Sequence, residues 1–209
     1  MGTFNTYGNQ SKQYGGAYPV WFTVSQKERS GGVLETLPPI GTVLRAGTLV
    51  SIDTAGGVAK VIETFEVSEA VASGDTTVKV QAYGSYPALT EGVVLMKAPN
   101  DVTETGDAVA VTGVTLDETN GVYEFTITAG ALGELEAGDI LVKASIAGAG
   151  ATVYAVPTGL TENDVYIEAG DYAATVASVY HGEIMEDRIQ PIPEAFKKVL
   201  PMIKFQKGV

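Results

Sequence analysis

This 209-residue chain predicts a mainly β fold: a small β-barrel or sandwich domain with inserted tandem β-units and one short C-terminal helix. Three observations carry that prediction. Short runs that alternate apolar and polar residues recur between Gly-rich turns, which is the pattern of half-buried strands. One such pattern occurs twice, offset by 46 to 47 residues. Apolar residues at helical spacing stand out once, between Pro193 and Pro201.

Residues 1–18 are rich in Gly, Tyr, Asn and Gln and show no periodicity, so residues 1–29 read as an extended arm. Tyr18, Trp21 and Phe22 follow the polar segment, and Trp21 is the only tryptophan. Aromatics in that position are the first core residues or anchors of the arm on a partner. Gly31-Gly32 and Pro38-Pro39 punctuate the next stretch as turns and loops. Leu49, Val50 and Ile52 form a strand, closed by the turn cluster Asp53–Gly57. Val58, Val61, Ile62 and Phe65 resume the strand pattern.

The repeat comes next. Thr76–Val80 and Val94–Lys97 form the first copy, Tyr123–Ile127 and Ile140–Lys143 the second. Gly92 and Gly138 set up each final strand, and Asn120-Gly121 is a hairpin turn. Two copies are too few for a solenoid, so residues 66–144 read as an inserted pair of units, about 66–98 and 113–144. The flanks, 30–65 and 145–209, then make up one β domain. The Ala/Gly-rich segment 145–151 reads as the boundary, and strands follow it up to Tyr180.

The final stretch is built differently. Pro191 and Pro193 bracket Ile192 and force an extended approach. Pro193 suits the first position of a helix, where its missing N–H is no loss. Phe196, Val199 and Leu200 share one helical face, and Pro201 stops the helix. So short a helix must dock, either on this chain's β-body or on a neighbour's.

Composition removes several classes of function. There is no cysteine, hence no disulfide, thiolate metal site or cysteine nucleophile. The only histidine, His181, lies in an alternating β run and reads as structural, and no nucleophile elbow or phosphate loop occurs. The acidic clusters lack the spacing of a calcium loop, so neither catalytic nor metal residues are assigned and no cofactor is expected. The chain reads as a non-enzyme. No apolar run approaches the ~20 residues of a membrane span, and the N-terminus lacks the apolar core of a signal peptide. The formal charge of -12 argues against nucleic acid as a partner. That charge is unevenly placed: residues 1–48 carry +2 and residues 191–209 carry +3, which leaves -17 for residues 49–190. The plain reading is a solvated acidic surface. The sharper one has two basic ends meeting something acidic.

Two segments together resemble a known family. They are Gly41–Val50 with the Gly56-Gly57 turn, and Asp164–Phe205 with YHGEIMEDR (180–188), PIP (191–193) and LPMIKF (200–205). Their pattern is similar to head decoration or head-fibre proteins of tailed phages and prophages, notably those of gut Bacteroidetes, and to the lambda-type decoration fold. The resemblance covers about half the chain. Residues 66–144 depart from it as an insertion, which should enter and leave at neighbouring points.

The resemblance implies a structural virion protein on the capsid surface, made in the host bacterial cytoplasm. It also implies the major capsid protein as partner and a homo-trimeric state. The residues expected to meet a partner or another copy are Tyr18, Trp21, Phe22, Arg188, Pro191, Ile192, Pro193, Phe196, Val199 and Leu200. The alternative is a cell-surface adhesion domain that binds carbohydrate or protein. If the tail helix packs on a neighbour, removing residues 191–209 turns an oligomer into a monomer.

Overall fold

A computed structural model of the chain describes residues 20–28, 31–81, 89–117, 122–126 and 132–207. The protein is mainly β, with a curled half-barrel sheet and one short helix near the C-terminus. The strands in chain order are β1 (Trp21–Lys27), β2 (Gly32–Leu34), β3 (Val43–Leu44), β4 (Leu49–Asp53), β5 (Val58–Val61) and β6 (Thr64–Glu66). Then come β7 (Thr77–Gln81), β8 (Val94–Lys97), β9 (Gly106–Ala110), β10 (Gly113–Asp117), β11 (Val122–Thr126) and β12 (Ile140–Lys143). The last are β13 (Gly148–Ala151), β14 (Gly159–Thr161), β15 (Val165–Tyr166), β16 (Thr175–Val176), β17 (Ser178–Met185) and β18 (Ile203–Gln206), with helix α1 (Glu194–Val199) before β18.

Eight strands make the main sheet in the order β1-β17-β14-β4-β5-β2-β16, with β18 also on β17. The β4–β5 hairpin shows how the sequence builds it. The Asp53 carboxylate accepts the Ala55 N–H at 3.0 Å, and Gly57 turns back with φ +68°. Val50, Ile52, Ala59 and Val61 then pack with Leu34, Leu44, Ile167 and Val176 in one core. Residues 21–27 belong to this sheet, so the segment expected to be an extended arm contains a paired strand. Trp21, Thr23 and Val24 favour strand geometry, and β17 offers them a free edge.

The strands between residues 64 and 151 pair only among themselves in the described residues. They form a five-stranded sheet, β13-β9-β8-β12-β6, and a three-stranded sheet, β10-β11-β7. The inserted unit is therefore wider than the 66–144 expected, because β6 and β13 both belong to it. The Ala/Gly-rich segment read as a boundary includes β13. Strand β6 pairs with β12, and the Lys143 N–H donates to Glu63 O at 3.1 Å, but the chain leaves the sheet along β13, at the opposite edge from β6. Strand β9 is an element the repeat comparison missed, since Ala108 and Ala110 dilute its apolar pattern.

The two bodies share a core. Met96, Ala108 and Val142 of the inserted sheet pack in one cluster with Leu49, Leu160, Val179 and Ile184 of the main sheet. The tail completes that cluster with Ile189, Ile192, Phe196, Leu200 and Ile203. Pro193 is the N-cap of α1 rather than its first residue, and its carbonyl accepts the N–H groups of Phe196 and Lys197. The approach to α1 is pinned on both sides. Gln190 Nε2 donates to Ile62 O at 2.9 Å, and Thr64 Oγ1 donates to Pro191 O at 2.6 Å. Gly47 makes room for this packing: its φ is +82°, and a Cβ there would lie 2.4 Å from Ile189 Cγ2.

The helix therefore docks on its own chain. Phe196 is 0% exposed. Removing residues 191–209 should abolish the cooperative unfolding transition rather than release a folded monomer, as circular dichroism melting will show. Phe196→Ala should cost about 3–5 kcal/mol of unfolding free energy, read by urea denaturation.

Candidate functional site

The residues expected at an interface divide into two groups. Ile192, Pro193, Phe196 and Leu200 are buried within the chain, and Val199 packs half-buried against the same core. These five are used by the fold and are not surface. Pro191 is half-buried, Arg188 is exposed, and Tyr18 lies outside the described residues. Trp21 is also committed: its indole N–H donates to Thr161 O at 3.0 Å, and its ring lies over Gly182. Of the apolar residues among them, Phe22 stands out, 65% exposed.

Its exposure has a structural cause in the register of β1 on β17. Trp21 faces Ile184 and Thr23 faces Glu183, so Phe22 is an extra residue on β1. Ser25 is a second extra residue, between Val24 opposite Gly182 and Gln26 opposite His181. On β17, Tyr180 is extra, between His181 and Val179, which face Gln26 and Lys27. Bulges re-aim the residues they carry. Two of these three, Phe22 and Tyr180, are large aromatics turned outward, and Val24 beside them is 40% exposed. The same bulges disturb the free edge of β1, which guards it against indiscriminate strand pairing.

Strand β17 also gathers the chain's ends. Strand β1 lies along one edge, while the opposite edge holds β14 at Ser178–Val179 and β18 at Gly182–Met185. Lys27 on β1 and Lys204 on β18 therefore flank one strand. Their charge is met locally. Lys27 pairs with Glu162 at 2.8 Å, and Lys204 with Glu183 at 3.3 Å. Lys197 sits between Glu186 and Glu194, both at 2.6 Å. Burial pulls the Lys197 ammonium down, but its bonds to the two carboxylates raise it above the ordinary lysine value overall.

A second constellation was invisible in the sequence. A cleft of about 250 Å³ opens between the two bodies, lined by Leu37, Pro38, Pro39, Val61, Val93 and Tyr154 among others. The Tyr154 hydroxyl donates to Glu35 Oε2 at 2.5 Å. Lys60 and Lys143 lie 5.3 and 4.6 Å from its ring centroid. Lys143 also pairs at 3.2 Å with Glu63, which is buried. The network ties the main sheet to the inserted one. No local signal marks these residues, because Glu35 and Tyr154 are 119 positions apart.

His181 is half-buried on β17, and its Nδ1 is buried without a hydrogen-bond partner. A catalytic triad needs a carboxylate at that atom to hold the imidazole. Among the described residues, no three His, Asp or Glu side chains are placed to hold a metal ion. No helix of the described residues is long and apolar enough to cross a membrane. No protein-family model matches this chain, and no curated protein matches it in sequence.

The clasp predicts a pH dependence. Burial first, then the bond to Glu35 and the charges of Glu35 and Glu63, push Tyr154 from 10.0 up to about 12. The folded chain thus keeps a proton that the unfolded chain loses. The stability this contributes is complete below pH 10 and drains away as pH rises through 12. Urea melts from pH 9 to 12 should show wild-type stability falling more steeply than that of Tyr154→Phe.

Proposed function

We propose that the chain is a structural virion protein that seats on the outside of an assembled phage capsid, as a head decoration or head-fibre protein, in trimeric form. The observation that carries this reading is the gathering at β17. The strands β1 and β18 share β17, so Lys27 and Lys204 lie on either side of it, on the strand that carries Tyr180 and pairs with the one that carries Phe22. Exposed aromatics on a bulged strand pair suit a docking surface, because they supply buried area at low entropic cost.

The rest of the molecule supports a structural role. Lys27 and Lys204 near the candidate surface are paired within the chain, and His181 lacks the carboxylate that catalysis by a triad requires.

Co-sedimentation with emptied capsids tests the reading. Phe22→Ala with Tyr180→Ala should weaken binding at least tenfold without lowering the melting temperature, and deleting residues 1–20 should weaken it further. Undiminished binding by both variants would remove this face from the interface. Failure of the wild-type protein to bind any shell would sink the reading itself. Light scattering on the free protein checks the trimer.

A further inference from the structure

The two repeat units do more than lie side by side. Two strands of the first unit, β7 and β8, pair with their own counterparts in the second, β11 and β12. Met96 faces Val142 across the β8–β12 pair, and these are equivalent positions of the repeat. Leu95 faces Lys143 while Lys97 faces Leu141, so exchanging the units reproduces the pairing. The β7–β11 pair does the same, with Val78 opposite Phe125. A twofold axis through both pairs describes this arrangement.

The hydrogen bonds outside the strands obey the same axis. Gly92 N–H donates to Val111 O, and Gly138 N–H to Val67 O. Val111 N–H donates to Val93 O, and Val67 N–H to Asp139 O. Ala98 N–H donates to Ile140 O, and Ala144 N–H to Val94 O. These pairs make β9 the counterpart of β6, with Val109 in the place of Phe65: Val109 faces Leu95, and Phe65 faces Leu141. The enclosed core repeats residue for residue at Leu89 and Leu135, Leu95 and Leu141, and Val67 and Val111.

We infer that residues 64–144 are a twofold dimer fused into one chain, in which the partner that each unit's surface fits is another copy of that unit. The outer face departs from the symmetry because a single tail covers it. Thr64 bonds Pro191 there, while its counterpart Ala108 is apolar. The inner face has no such neighbour and keeps the twofold arrangement.

An exchange of residues in the full chain tests this. Phe65 and Val109 lie on strands separated by two others, about 14 Å apart, where substitutions ordinarily add. Phe65→Val opens a cavity and Val109→Phe overfills the core, so each alone should lower the melting temperature. Under twofold equivalence, the double variant restores the original arrangement with the units exchanged. It should recover at least half of the summed loss. A double variant that loses the full sum, or that does not fold, overturns the inference.

Discussion

The structure depends on the wedge formed by Ile189, Ile192, Phe196, Leu200 and Ile203 between the two sheets. Neither sheet closes its tail-facing side alone. The main sheet leaves Leu49, Leu160, Val179 and Ile184 open on that side, and the inserted sheet leaves Met96, Val142 and Ala144 open on its own. The tail fills the gap and meets the backbone as well, through Gln190 to Ile62 and Pro191 to Thr64. Apolar burial supplies the attraction, and these bonds set its registry. The prolines restrict the approach in advance, so less freedom is lost when the segment docks.

Around that wedge the molecule separates rigid interior from adjustable surface. The Glu35–Tyr154–Lys143–Glu63 network holds the two bodies together at the cleft, and its Glu63 lies between the two residues that pin the tail, Ile62 and Thr64. Two ties restrain rotation between the bodies better than one. The docking surface proposed for capsid binding lies outside both, on the bulged pair β1–β17. There Phe22 and Tyr180 project without serving the core. Changes at that surface are therefore separable from stability, which is the property an evolving contact surface needs.

Much of the fold was legible because its signals are local. The Asp53–Gly57 turn, the alternation at Val78 and Val80, and the spacing of Phe196, Val199 and Leu200 each show within a few residues. What escaped was set by contacts distant in sequence. The spacing of Phe196 and Leu200 predicts a buried face but not which body covers it, so residues read as an interface belong to the core. Phe22 owes its exposure to a mismatch in length between two strands far apart in the chain, which no window around it reveals. Trp21 was ambiguous for the same reason, since its partner Thr161 is 140 positions away. Strand β9 was missed because small residues weakened its pattern, although its position follows from the equivalence with β6.

The placement of β17 and β18 has a consequence for synthesis. The inserted sheets are complete once residue 151 has emerged, since all their strands lie between residues 64 and 151. The main sheet cannot assemble then. Strands β1, β2, β4 and β5 are already made, but β14, β16, β17 and β18 follow the insertion. Its first strands must wait on the ribosome with unpaired edges, while a folded unit sits between them and their partners. A chain that stops before Phe196 has neither its full sheet nor its wedge, and leaves the apolar faces of both sheets uncovered.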